Sequence, residues 1–162
     1  MSKRYLKGCA VSAALVGLFA AGAGAQPESP TQNKGTNWPL YGNDAGAQRY
    51  SPLTQITPAN VKSLKVAWTY HMKTAGAARV ATTQTTPLVV DGVMYLGSPY
   101  GKIVALEPTT GKEIWSVTLP GNARPAPRGM AYWPGDKDHA PRLLFGTNDG
   151  HLAAVDVKAG TI

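Results

Sequence analysis

The chain has 162 residues, with sixteen Lys and Arg against nine Asp and Glu and a formal net charge of +7. The positive residues are scattered, and no basic run alternates with aromatic residues, which argues against a nucleic-acid partner. Cys9 is the only cysteine, so the chain can form no internal disulfide and no multi-cysteine metal site.

The first 25 residues have the order typical of a secretory signal peptide. Lys3, Arg4 and Lys7 precede an apolar run over 8–25 that is rich in Ala and Gly and ends Ala23-Gly24-Ala25. Small residues at positions −3 and −1 fit signal peptidase, and the run is short for a membrane span. The sequence therefore predicts export, with cleavage after residue 25.

A flexible spacer is predicted over 26–37, because Pro, Ser, Thr, Gln and Asn dominate there. The folded domain is predicted to span 38–162. No window of a dozen residues within it holds a helical period. The best helical candidate is a single turn at 57–61, where Thr57 could cap the turn and Pro58 would take the first helical position.

The rest of the chain shows short apolar runs separated by turn residues, which predicts an all-β fold. Asp91-Gly92 and Asp149-Gly150 each lie between two β-rich runs. Both residue types tolerate the positive φ of tight hairpin turns, so these pairs favour hairpins. The predicted strands are 67–71, 87–90, 93–97, 103–106, 114–118, 142–146 and 152–155.

An internal repeat is the most informative feature of the sequence. Residues 93–107 align without a gap on 142–156, an offset of 49 residues. A repeat of this length built of short strands is typical of a β-propeller blade. Trp115 would then fill the space between blades, and the acidic residue of each repeat, Glu107 or Asp156, would accept hydrogen bonds from turn amides. The alternative is a β-sandwich whose hairpins are alike by chance.

Several stretches extend this pattern. The blade signature Ala-x-Asp-x-x-x-Gly-x-x-x-Trp appears over 105–115, with Glu107 in the acidic position, and again from Ala154. With the segments 38–56, 60–68, 84–92 and 128–133, it resembles the dehydrogenases that use pyrroloquinoline quinone (PQQ) on an eight-bladed β-propeller. The resemblance covers 38–162 and implies that this chain is the N-terminal part of such a protein, about its first two blades.

The resemblance implies two cofactor-binding residues. Arg128 occupies the place of the arginine that reaches the quinone in the family, and its guanidinium suits the carboxylates and quinone oxygens of PQQ. Gln84 stands where the family commonly has Glu, and it keeps a hydrogen-bonding side chain without the charge. A cofactor contact and a plain polar residue at a strand end both remain open for Gln84.

No catalytic or metal-binding residue is predicted in this chain. In the family the calcium ligands and the catalytic aspartate belong to later blades. His71, His139 and His151 lack the spacing of metal ligands and are interpreted as surface or structural residues. The fragment alone is therefore predicted to be inactive.

The resemblance further implies an oxidoreductase that acts on CH–OH groups and passes electrons to a respiratory acceptor, a quinone or a cytochrome. Many alcohol-oxidising members carry two adjacent cysteines shortly before the arginine, whereas residues 120–127 contain none. This difference favours a substrate of the glucose, sugar or polyol type. The leader favours a periplasmic protein, soluble or attached peripherally to the inner membrane.

A non-catalytic propeller scaffold of the bacterial cell envelope is the alternative function. The stretches 84–87 and 128–133 favour the enzyme, because a scaffold does not need them.

Overall fold

The structure, a computed structural model, describes residues 35–73, 75–76 and 81–162. The predicted signal peptide (1–25) and most of the predicted spacer lie outside the described residues. No helix in the described part of the chain is long and apolar enough to cross a membrane. The elements found there are β1 (Leu88–Val90), β2 (Val93–Gly97), β3 (Lys102–Leu106), β4 (Glu113–Thr118), β5 (Ala131–Trp133), β6 (Arg142–Gly146), β7 (Leu152–Asp156) and one short 3-10 helix, η1 (Val61–Ser63).

The strands form two antiparallel sheets, each in chain order. The first sheet has the order β1-β2-β3-β4 and the second has the order β5-β6-β7. The pairing repeats between the sheets: Tyr95 opposes Ala105 in the first, and Leu144 opposes Ala154 in the second. This register reproduces the repeat offset of the sequence, so the all-β prediction and the repeated unit are both confirmed.

Six strands lie where the sequence predicts them, with ends that differ by one residue at most. The predicted strand over 67–71 is wrong, since these residues belong to no strand. The sequence analysis missed β5, whose three residues are too few to show an alternating pattern.

A helical turn is present over 57–61 as predicted, since the backbone N–H of Val61 donates a hydrogen bond of 2.9 Å to the carbonyl oxygen of Thr57, but its predicted cap is not. The 3-10 helix begins at Val61, and Thr57 does not cap it. Instead, the Oδ1 atom of Asn60 accepts a hydrogen bond of 2.7 Å from the backbone N–H of Thr57. The Asn side chain thus stabilises the turn that leads into the helix, which is the local role that Asn favours.

The two sheets share a hydrophobic core. Leu88 and Ile103 of the first sheet and Leu143, Phe145 and Val155 of the second belong to one cluster, and each is at most 1% exposed. Alternate residues of β6 face this cluster, as expected for a strand with one buried face. Burial of each large side chain stabilises the fold by roughly 1.5–3 kcal/mol.

Trp115 of β4 joins the first sheet to the second. Its Nε1 atom donates a hydrogen bond of 3.0 Å to the carbonyl oxygen of Val157. Its ring lies against Gly160, where an added Cβ would come within 2.7 Å of the indole. The predicted place of Trp115 between the blades is confirmed.

Trp68 makes the same contact one repeat earlier. Its Nε1 atom donates to the carbonyl oxygen of Pro108 at 2.9 Å, and a Cβ on Gly111 would come within 2.4 Å of its ring. Trp68 also packs on Val104 and Leu106, on the face of the first sheet that the second sheet leaves uncovered. The central strand β3 is therefore buried on both faces.

Residues 38–40, here called the linking segment, connect the first strands of the two sheets. Trp38 exchanges two backbone hydrogen bonds with Val89 of β1, at 2.5 and 3.0 Å. The carbonyl oxygen of Pro39 accepts a bond of 2.9 Å from the backbone N–H of Tyr132 in β5. The linking segment thereby fixes the residues that follow it relative to both sheets.

Glu107 and Asp156 close equivalent turns after β3 and β7. The Oδ1 atom of Asp156 accepts bonds from the backbone N–H groups of Ala159 and Lys158, at 2.8 and 2.9 Å. These bonds lower the pKa of the Asp156 carboxyl. Hydrogen bonds lower the pKa of the Glu107 carboxyl to about 2, and the bond donated by the Thr109 hydroxyl contributes most. The predicted role of the acidic residue in each repeat is confirmed.

Acid should weaken the fold through these turns. A carboxyl group whose pKa is lower in the folded state stabilises that state above its unfolded pKa, and this contribution is lost as the pH falls through the folded pKa. For Glu107 the loss should extend from about pH 4.5 to about pH 2. We expect Glu107→Gln to reduce the acid dependence of the unfolding midpoint of the full-length protein, followed by circular dichroism.

Asp138→Asn, on an exposed loop outside both turns, serves as the control for this experiment. A Glu107→Gln variant whose midpoint falls with acid as steeply as that of the wild type would contradict the stabilising role of the Glu107 carboxylate.

Candidate cofactor site

A cleft opens where the chain segments that precede β1 and β5 meet. It encloses only about 10 Å³, the room of roughly one water molecule and far below the roughly 300–1,000 Å³ of a complete small-molecule site. The two sheets therefore supply one part of a pocket wall. The lining residues are Tyr41, Thr85, Thr86, Gly97, Pro125, Ala126, Pro127, Arg128 and Met130.

Arg128 gives the cleft its charge. Its side chain is exposed and has no hydrogen-bond or ion-pair partner among the described residues. The loop that carries it is fixed by backbone bonds, from Ala126 N–H to the Gly146 oxygen and from Gly129 N–H to the Ala126 oxygen, at 2.9 and 3.3 Å. Since the described lining contains no carboxylate, the cleft favours an anionic ligand.

Gln84 lies beside the cleft rather than in its lining. The neighbouring residue Thr85 does line it, and the Thr85 hydroxyl donates a bond of 2.6 Å to the carbonyl oxygen of Gly97. The Thr83 hydroxyl donates to the Thr85 hydroxyl at 2.8 Å. Together with the bond from Thr85 to Gly97, this contact fixes the segment against β2. The structure thus places Arg128 in the lining of the cleft and Gln84 next to a residue of that lining, and the contact of either with a cofactor stays a prediction.

Tyr41 is a lining residue that the sequence analysis missed. Arg49 lies over its ring, with the guanidinium carbon 4.9 Å from the ring centroid. Arg49 Nη2 also donates to the Tyr41 hydroxyl at 3.4 Å. Tyr41 lies within the segment 38–56 that resembles the family, but no local pattern separates it from Tyr50 in the same segment.

None of the three histidines lines the cleft. His139 Nδ1 lies 2.8 Å from Asp136 Oδ1, and His151 Nδ1 lies 3.2 Å from Asp149 Oδ1. The Asp136 carboxyl has a lowered pKa, first because the backbone N–H of Asp138 donates to it and then because His139 does. Over residues 35–73, 75–76 and 81–162, no three His, Cys, Asp or Glu side chains are grouped to hold a metal ion.

Comparison with known families identifies the chain. Residues 38–162 match the family model described as "PQQ: Glucose/ethanol/alcohol dehydrogenase, beta-propeller domain". The chain belongs to the PQQ-dependent dehydrogenase family. Members of this family use PQQ together with a metal ion.

The chain is also similar in sequence to individual members of the PQQ-dependent dehydrogenase family. The chain is 37% identical over 176 residues to the dehydrogenase subunit of the alcohol dehydrogenase (quinone) of Gluconobacter oxydans (strain 621H), covering 100% of this chain and 22% of that protein. It is 33% identical over 149 residues to the glycerol dehydrogenase large subunit of the same organism, covering 84% of this chain and 20% of the subunit.

Among solved structures, the quinohemoprotein alcohol dehydrogenase from Comamonas testosteroni matches with a TM-score of 0.66 and 32% identity, over 80% of this chain and 19% of that one. The predicted family and β-propeller fold are confirmed, and the two sheets are blades of an open, partial propeller. The chain spans about a fifth of the length of these PQQ-dependent dehydrogenases.

Proposed function

We propose that this chain is the N-terminal part of an exported PQQ-dependent oxidoreductase that acts on CH–OH groups of a sugar or polyol. The observation that carries the proposal is the cleft, which presents Arg128, without a partner among the described residues, and no carboxylate in its described lining, in a chain of the PQQ-dependent dehydrogenase family. The absence of cysteine over 120–127 and the similarity to a glycerol dehydrogenase large subunit support the polyol class.

The residues of the cleft fit one part of a PQQ site. PQQ is a planar anion with several carboxylates and two adjacent quinone oxygens. Arg128 would hold these groups by charge-assisted hydrogen bonds, and the amide of Gln84 would add a neutral donor at the rim. When bound, PQQ accepts the electrons that the substrate loses. We place the calcium ion and the catalytic base in later blades of the full-length protein.

The proposed electron acceptor is respiratory, a quinone or a cytochrome. The printed names of two relatives, an alcohol dehydrogenase (quinone) and a quinohemoprotein alcohol dehydrogenase, support this class of acceptor. The predicted leader supports a periplasmic enzyme, where attachment to the inner membrane would bring it close to such an acceptor.

A substrate panel tests this proposal. The full-length apoprotein, reconstituted with PQQ and calcium, should reduce an artificial dye faster with glucose or glycerol than with ethanol, compared as kcat/KM. Preference for ethanol would contradict the sugar or polyol class and leave the dehydrogenase assignment intact. A protein that neither binds PQQ nor reduces the dye with any of the three would favour the scaffold function.

A further inference from the structure

We infer that Tyr41 forms one wall of the cofactor site and that Arg49 is the residue that positions it. The inference rests on the proposed function, because it takes the cleft to be the place where PQQ binds. It adds an aromatic contact to the charged contact expected from Arg128.

The linking segment determines where Tyr41 lies. Trp38 is paired with β1 and Pro39 with β5, so Tyr41 enters the space between the two sheets from a fixed backbone. There it lines the same cleft as Thr85 and Arg128. The cleft itself encloses only about 10 Å³, so a planar ligand held by Arg128 would lie across its mouth, next to Tyr41.

The loop over 41–50 folds back to bring Arg49 to the start of the loop. The backbone N–H of Arg49 donates to the carbonyl oxygen of Gly42 at 2.9 Å. Gly42 has no room for a side chain, because an added Cβ would lie 2.4 Å from the Cα of Ala47. Ala47 and Arg49 have φ values of 51° and 54°, in the left-handed region that such residues rarely adopt, whereas Asn43, with a φ of 75°, is of a type that tolerates it.

The strained backbone of the loop over 41–50 supports a functional role for this loop. Unfavourable backbone conformations persist only where surrounding contacts enforce them, and they are concentrated at binding and active sites. The loop maintains two of them, at Ala47 and Arg49, and the result is that a guanidinium lies over the ring of Tyr41. Strain beside the cleft thus supports a positioning role for the loop.

The contact between Arg49 and Tyr41 fixes the ring. The hydrogen bond of 3.4 Å to the hydroxyl is long, so the main contact is the cation over the ring, 4.9 Å from its centroid. Arg49 has no acidic partner among the described residues that would draw it away. Because Arg49 covers one face of the ring, only the edge and the other face can contact a ligand.

Direct binding of PQQ tests this inference. Full-length apoprotein with calcium is dialysed to equilibrium against PQQ, and the bound PQQ is measured by its absorbance. We expect Tyr41→Ala to raise Kd about tenfold, by loss of the aromatic contact. Arg49→Gln should raise it about threefold, since the ring is no longer held, whereas Tyr41→Phe should bind within about twofold of the wild type because it keeps the ring.

The double variant separates positioning from direct contact. If Arg49 acts through Tyr41, Tyr41→Ala combined with Arg49→Gln should bind no more weakly than Tyr41→Ala alone. Tyr50→Ala, in the same loop and 67% exposed, is the matched control and should bind as the wild type does. Losses that add in the double variant would overturn the positioning role of Arg49.

The outcomes distinguish this inference from the proposed function. Wild-type protein that binds PQQ, with Tyr41→Ala at the same affinity, would overturn the inference and leave the proposed function standing. Wild-type protein that does not bind PQQ would overturn both. If circular dichroism shows that Tyr41→Ala is unfolded, Arg49→Gln carries the test, and unchanged affinity in that variant overturns the inference.

Discussion

Replacement of Gly160 by Ala should destabilise the full-length protein by about 1–3 kcal/mol more than the same change at Gly150. Both glycines have positive φ, 67° and 87°, so Ala carries the left-handed penalty of about 1–2 kcal/mol at either position. Only at Gly160 would the new Cβ meet the ring of Trp115, at 2.7 Å, since Gly150 has nothing within 4 Å. The free energy of unfolding of each variant is measured in urea. The difference between the two losses therefore reports the packing of Trp115 on Gly160.

A second pair of variants checks the cause. In a Trp115→Ala background the obstructing ring is gone, so Gly160→Ala should then cost about as much as Gly150→Ala. Equal costs for the two glycine variants in the wild-type background would contradict the docking of Trp115 on Gly160.

Arg128→Gln should weaken PQQ binding by about 10- to 100-fold. Hydrogen bonds to charged groups contribute about 1.5–3 kcal/mol, and each 1.4 kcal/mol corresponds to a factor of ten in Kd. Arg128 lines the cleft without a partner among the described residues that would compete with a bound carboxylate for its forked N–H donors. Equilibrium dialysis of the full-length apoprotein against PQQ measures the change.

Arg124→Gln provides the matched control, because Arg124 is also exposed, lies four residues earlier and does not line this cleft. It removes the same charge from the same surface. Equal losses of affinity in the two variants would show a general charge effect and would contradict a direct contact by Arg128.

The sequence predicts the two hairpins well because their information is local. Asp91 and Gly92 adopt the positive φ values, 50° and 79°, that a tight hairpin requires. The repeat then places the second hairpin by analogy with the first. The segment 67–71 shows the limit of this reasoning, since its residues suit a strand but the pattern cannot say which strand would pair with it.

The candidate site could be predicted from the sequence only in part, because some of its residues are brought together by contacts between distant parts of the chain. Arg128 and Gln84 stand in stretches that resemble the family, so the motif alone identifies them. Tyr41 reaches the cleft because the preceding residues pair with strands far along the chain, and Arg49 reaches Tyr41 through a loop of unusual backbone angles. Neither fact has a signature in the local composition.

The linking segment makes the cleft a late product of folding. Its partners Val89 and Tyr132 lie about 50 and about 90 residues further along the chain, so these contacts close much larger loops than the hairpins do. Tyr41 takes its place only when both sheets are present to hold the segment before it. In a refolding experiment, native strand content should therefore appear before the capacity to bind the cofactor, and the interval between them would include the docking of residues 38–40.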